Sequence, residues 1–201
     1  MKVSREQAAL NRERIVDVAA TLFREHGYDG IGVADLMKSA GLTHGGFYGH
    51  FASKEDLLAE ACEHALGNSV QRWRALAAKV PDRALAAITE SYVSAEHRDH
   101  PGRGCAVGAL GADVARLSAA GRHALTRGAR AQIDILSGLM PAAIPPGAGG
   151  HSNSDADGAA RRQAIVAYAA MIGAVLLARA VDDPTLSDEI LKTVAASLHP
   201  A

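Results

Sequence analysis

Apolar residues return every three or four positions along most of this chain, the period of helices that bury one side. Ile15, Val18, Ala19, Leu22 and Phe23 keep that spacing behind Ser4 and Gln7, a capping-box pair, so a first helix is predicted to His26 with its stop at Gly27. After the Tyr28-Asp29-Gly30 turn, Val33 to Ala40 predicts a short second helix that Gly41 breaks, and Thr43 is placed to cap a third reaching Tyr48. Two short helices joined by a glycine-containing turn are the helix-turn-helix arrangement.

Ser53-Lys54-Glu55-Asp56 then opens a long helix that carries Leu58, Ala61, Ala65, Trp73, Ala77 and Val80 up to Pro81. Asp82 is expected to cap a helix with Leu85, Ile88 and Tyr92 on one face, and 97–104, with Pro101 and two glycines, reads as a break. Further stripes follow at Val107, Leu110, Val114 and Leu117, and at Leu125, Ala129, Ile133, Leu136 and Met140. Residues 141–158 are rich in Pro, Gly, Ser and Asp without apolar period and are expected to form a long loop. A helix over 159–181 comes next, and a last one, capped by Ser187, carries Ile190, Leu191, Val194 and Leu198. The expectation is therefore an all-α chain of about nine helices.

From Ala164 to Ala178 the only polar side-chain atom is the Tyr168 hydroxyl. A bilayer needs roughly 20 residues of helix, so this run reads as too short for a span and better explained by burial on two sides, against its own domain and against a second chain. Its small residues Ala169, Ala170, Gly173 and Ala174 allow close helix approach; with Leu177 and with Ile190, Leu191 and Val194 they are the expected dimer interface.

Composition adds little to this picture. Apolar residues make up 48% and aromatics 4%, with abundant alanine, which favours close-packed helices over sheets. A formal charge of −1 means that any phosphate binding must come from a local surface. Cys62 and Cys105 are the only cysteines, a pattern expected of a reducing cytoplasm, and no secretory leader is visible at Met1-Lys2-Val3-Ser4.

Several features stand in fixed order: Ile15, Ala19 and Leu22-Phe23, then Gly27-Tyr28, Val33 and Leu36, Ala40-Gly41-Leu42-Thr43, Tyr48, His50-Phe51 and Ser53-Lys54. In this order they resemble the DNA-binding domain of the TetR/AcrR family of regulators, over 15–54. Pro101 to Leu117 and Ile172 to Val181 resemble, more loosely, one branch of that family whose ligands vary. The resemblance implies an N-terminal three-helix DNA-binding domain over 1–52 and a helical ligand-binding and dimerisation domain over 53–201. It also implies that Lys54 meets phosphate.

The chemistry agrees. The third helix is too short to stand alone, so the first helix and the start of the fourth must hold it as a prow for the major groove. Thr43 and His44 sit at its N-terminus, where free N–H groups favour phosphate or a base-edge acceptor, and Tyr48 and His50 offer donors to the phosphate backbone. With Gly45, Lys38, Lys54 and Arg5 they form the expected DNA-contact set, to which Lys2, Arg12 and Arg14 add positive charge. The chain departs from the family pattern at Gly32, where a side-chain cap is lost, and at Gly45 and Gly46, which weaken the third helix and remove side chains that read bases. His44 is left as the candidate for direct readout.

Trp73, Tyr92, Met140, Tyr168 and Met171 are the large or adaptable side chains available to line an effector pocket or to fill the core. Cys105, also placed among the effector residues, admits three readings. It is a small packing residue, or a thiol sensor activated by the helix it starts and by Arg103, or one ligand of a metal site with His97, Asp99 and His100. No Ser-His-Asp arrangement, phosphate loop or paired-carboxylate motif appears at a recognisable spacing, which argues against a helical enzyme. A purely structural dimerisation protein has no use for Tyr48, His50 and Lys54 together on a helix-turn-helix. The expectation is a cytoplasmic homodimer without cofactor or resident metal, binding a palindromic double-stranded DNA operator and released by a small-molecule effector. An occluding dimer needs no polymerase contact, which favours a repressor over an activator.

Overall fold

The computed structural model describes residues 4–117, 119–141 and 153–198. Lys2 and positions 142–152 of the expected loop lie outside them. The described residues form nine α-helices and three short 3-10 turns, with no strand.

α1 (Arg5–His26) begins where Ser4 Oγ accepts from Gln7 N at 3.1 Å and ends at Gly27, φ 74°, whose N–H returns to Phe23 O. The Gln7 amide donates to Asn11 instead of reaching back to Ser4, so only half of the capping box forms. Ile15, Val16, Ala19, Ala20 and Phe23 are its buried stripe. α2 (Val33–Ser39) buries Leu36 and Met37, and Gly41, φ 70°, turns the chain after it. The expected third helix is a 3-10 turn over His44–Gly49, and Thr43 makes no side-chain cap. Three glycines in six residues forfeit the side-chain packing and propensity that hold an α-helix, which accounts for the tighter, shorter form. α3 (Lys54–Lys79) starts as expected, with Ser53 Oγ accepting from Asp56 N at 3.0 Å.

α4 (Ala84–Tyr92) is preceded by a 3-10 turn over Pro81–Arg83, and Asp82 does not cap it. Part of the expected break at 97–104 is helical: α5 (Ala95–Asp99) forms because Ser94 Oγ accepts from His97 N, and a 3-10 turn over Pro101–Arg103 follows. α6 (Ala106–Leu117) and α7 (Ala119–Leu139) come next. α8 (Asn153–Ala180) begins earlier than Ala159, because apolar periodicity cannot register a polar first turn. α9 (Pro184–Ser197) is capped by Asp183, not Ser187. Pro184 at the first helical position brings Thr185 N and Leu186 N to the Asp183 carboxylate, while the buried Ser187 hydroxyl donates to Ala178 O at 2.7 Å.

The chain forms two compact units. The first contains the residues up to Ser69 together with His100–Gly128. Within it the Arg24 guanidinium donates to Gly102 O, and Gly128 lets α7 lie against α3, since a Cβ there would come within 2.5 Å of Leu66. The second contains Val70–Asp99 and the residues from Ala129 on. Trp73 meets Tyr92 and Tyr168 edge to face at 6.0 and 6.2 Å, and the Tyr168 hydroxyl donates to buried Gln132 at 2.7 Å. Arg98 of α5 ties to α9 through Asp188 and Ser187, and Arg179 of α8 donates to the carbonyls of His97 and Arg98. Donation to the Asp99 and Asp188 carboxylates holds the Arg98 guanidinium more firmly protonated than usual.

Candidate nucleic-acid interface

Phe47 is the anchor of the recognition turn. It is fully buried and packs against Phe51 at 5.7 Å, and Leu36 and Met37 of α2 are fully buried too. A 3-10 turn pinned by one side chain must present its neighbours outward, and Thr43, His44, Gly45 and Tyr48 are all exposed. Tyr48 is 70% exposed, its ring standing edge-on to Phe47 at 5.2 Å and to His44 at 6.5 Å. Lys38 on α2 and Arg5 on α1 are exposed as well, while His50 is half-buried behind the turn. Gly32 makes no side-chain cap, as the sequence led one to expect.

Two expected cations are engaged by other groups of the chain. Arg12 pairs through both terminal nitrogens with Glu60, at 2.6 and 2.5 Å, and its guanidinium lies 4.7 Å over the Phe51 ring. It therefore braces the residue behind the recognition turn, and its charge is already matched. Lys54, expected in open solvent, is half-buried. Its Nζ donates to Tyr28 O and lies 4.2 Å from the centre of the Tyr28 ring. Desolvation there lowers the Lys54 pKa, with Asp29 opposing the shift, and burial followed by Glu55 and Asp29 raises that of the Tyr28 phenol. The sequence reading had Tyr28 only as a turn residue and part of the family pattern and did not single out Asp113, whose carboxylate accepts from Tyr28 N. The two lie 85 positions apart, and no local pattern joins them.

The expected effector residues fall in two places. Trp73, Tyr92, Tyr168 and Met171 are buried and Met140 is half-buried, all in the second unit, where the three aromatics form one cluster. Cys105 is buried in the first unit, directly before α6. Among the described residues no three His, Cys, Asp or Glu side chains are grouped to hold a metal ion, so the site imagined from His97, Asp99, His100 and Cys105 has no support. Cys62 is also buried, and its thiol is pushed up to about 12 by burial, with Arg24 opposing.

α8 corrects the reading of its apolar run. By length and composition Asp157–Ala180 is enough to cross a membrane, so shortness is no argument against a span. One side, with Ala164, Ala167, Tyr168, Met171, Ala174, Val175 and Ala178, is buried by the chain itself. The other leaves Val166 68%, Leu177 55%, Leu176 52% and Ile165 45% exposed, with Ala169 beside them and Leu186 of α9 at 42%. Ala170, Gly173, Ile190 and Val194 are intermediate. Ala174 and Leu191, expected at the interface, are 2% and 4% exposed and belong to the chain's own core. Ile165, Val166 and Leu176 were missed because a run apolar on all sides does not tell which side its own domain takes.

Comparison with known proteins follows this geometry. The family described as bacterial regulatory proteins, tetR family, matches residues 15–61. The HTH-type transcriptional repressor NemR of Escherichia coli is 31% identical over 173 residues, 84% of this chain and 83% of that protein. The HTH-type transcriptional regulator AcrR of Shigella flexneri is 32% identical over 90 residues, 45% of this chain and 42% of that protein. The chain spans less than half the length of several curated relatives, among them AcrR and, at 30%, the regulator YerO of Bacillus subtilis. The crystal structure of reduced E. coli NemR superposes with TM-score 0.71 at 27% identity, covering 94% of each chain. A TetR-family regulator from Agrobacterium tumefaciens shares the fold at TM-score 0.74 and 21% identity, covering 94% of this chain and 98% of that one.

Proposed function

Because the chain belongs to the TetR family of bacterial regulatory proteins, we propose that it is a cytoplasmic, ligand-responsive repressor that binds a palindromic DNA operator as a homodimer. The observation that carries this reading is the recognition turn, in which a fully buried Phe47 holds Thr43, His44 and Tyr48 out to solvent. In the major groove these three supply hydroxyl and imidazole contacts to phosphate and base edges, with the Gly45 backbone beside them. Lys38 and Arg5 flank them, and His50 and Lys54 stand behind. Residues 1–52 act as the DNA module, and 53–201 bind effector and partner.

The partner surface is the open face of α8 with the adjoining part of α9: Ile165, Val166, Ala169, Ala170, Gly173, Leu176, Leu177, Leu186, Ile190 and Val194. A twofold pairing there sets two recognition turns about one turn of DNA apart. The effector is a small molecule that meets the Trp73, Tyr92 and Tyr168 cluster, with Met140 and Met171 as adaptable lining. No step needs a cofactor, and none is catalytic. The test is fluorescence anisotropy with a labelled random-sequence duplex pool at low and moderate salt, then selection of bound sequences and a screen for molecules that release them. Binding at low salt that weakens steeply with added salt is expected, and no binding at low salt overturns the reading.

A second reading makes Cys105 the sensor. It is favoured by the position of Cys105 at the start of α6, its carbonyl accepting from Ala109 N, and by the likeness to a NemR crystallised in a reduced form. Mild peroxide then releases DNA from the wild type and not from Cys105→Ser. Equal release from both proteins rejects it.

A further inference from the structure

The turn that closes α1 is held from outside the helix-turn-helix. Tyr28 N donates to Asp113 Oδ2 of α6 at 3.1 Å. The preceding Gly27 adopts φ +74°, and a Cβ there would stand 3.4 Å from that same oxygen, so the carboxylate is seated against a left-handed glycine. The other oxygen, Oδ1, takes Arg116 of its own helix at 2.9 Å, which fixes the carboxylate plane. On its far side the same Tyr28 residue receives Lys54 Nζ at its carbonyl and under its ring. An ammonium has three donors, and the bond to Tyr28 sets where the other two point. Asp113, Tyr28 and Lys54 thus form one unbroken path from α6 to the first residue of α3, all within the first compact unit.

We propose that Asp113 is a positioning residue for DNA binding: by holding the Tyr28 backbone it sets the direction in which Lys54 presents its ammonium to a phosphate. The inference rests on the DNA-binding reading above. Withdrawal of Asp113 leaves the lysine in place and its aim lost.

The experiment measures affinity of the full chain for a labelled random-sequence duplex across a salt series. The proteins are wild type, Asp113→Ala, Asp113→Asn, Lys54→Ala and the Asp113→Ala/Lys54→Ala double variant. One phosphate contact contributes about 0.9 to the slope of log affinity against log salt, which is about eightfold between 1 M and 0.1 M salt. Asp113→Ala and Lys54→Ala are each expected to lose roughly that amount per subunit and to flatten the slope by about 0.9 per subunit. Asp113→Asn keeps an oxygen acceptor for Tyr28 N and is expected to stay near wild type. In the Lys54→Ala background, removing Asp113 is expected to cost nothing further. Asp113→Glu, which keeps the charge and moves the carboxylate by one methylene, carries the same expectation as Asp113→Ala and serves if the alanine variant does not fold. An unchanged slope, or costs that add in the double variant, overturns the proposal, even where the melting temperature falls. Failure of the wild type to bind duplex at low salt overturns the DNA-binding reading instead.

Discussion

The open face of α8 sets the terms of a decisive substitution, Leu177→Asp. Covering a whole Val, Leu or Ile side chain contributes about 1.5–3 kcal/mol. Val166, Leu177, Leu176 and Ile165 still expose 45% to 68% of their surface, so covering what remains contributes about 1 kcal/mol each. A twofold axis doubles four such residues, giving on the order of 8 kcal/mol before Leu186 and the alanines are added. Association costs an estimated 4–15 kcal/mol, a range that brackets this gain, so the proposed pairing has little to spare and depends on each of these residues. Leu177→Asp removes about 2 kcal/mol across the axis and leaves two unpaired carboxylates in the seam, each adding several kcal/mol more. The dimer dissociation constant is then expected to rise by at least about a thousandfold. Because Leu177 faces solvent in the isolated chain, the monomer should keep its helicity. Sedimentation velocity together with circular dichroism reads both, and operator affinity should collapse with the dimer although the recognition turn is untouched. A Leu177→Asp protein that sediments as the wild-type dimer and still binds DNA refutes the reasoning.

Three further substitutions probe the rest of the fold. Tyr48→Phe removes a hydroxyl from a residue 70% exposed, so DNA affinity should fall for all sequences while thermal stability stays within about 0.5 kcal/mol; wild-type affinity counts against Tyr48 as a phosphate donor. Phe47→Ala empties a fully buried site and should cost about 3–5 kcal/mol in urea unfolding, with DNA binding lost; a cost below about 1 kcal/mol shows that the turn is not anchored by Phe47. Cys62 has its thiol raised from 9.0 to about 12 in the folded chain, so its contribution to stability is complete below pH 9 and is lost as the unfolded thiol ionises and pH climbs toward 12. Cys62→Ala should flatten that alkaline loss, which unfolding titrations from pH 8 to pH 11 would detect, and an identical slope in both proteins removes Cys62 as its cause.

Much of the architecture was legible because its signals are local. The Ser4 and Ser53 caps, the stops at Gly27 and Gly41 and the helix-turn-helix order act within one turn of chain, where a side chain and the backbone it satisfies are neighbours in sequence. Local reading failed where two local signals competed. Ser187 was taken for a cap that Asp183 makes, since Pro184 favours the earlier start, and paired glycines tightened an expected α-helix into a 3-10 turn.

What the sequence by itself determined is the class of the protein: an all-helical chain with an N-terminal helix-turn-helix and a long apolar helix near its end. Periodicity and capping are properties of the chain alone, and they suffice for that. Only the tertiary structure decided which polar groups are available and which apolar ones remain uncovered. Lys54 and Arg12 looked alike in sequence to any exposed cation until Tyr28 and Glu60, distant along the chain, claimed them. Ala174 and Leu177 looked alike as interface residues until packing took one inward and left the other 55% exposed. Burial and long-range pairing depend on which elements meet, and a residue's chemistry does not encode its distance from groups dozens of positions away.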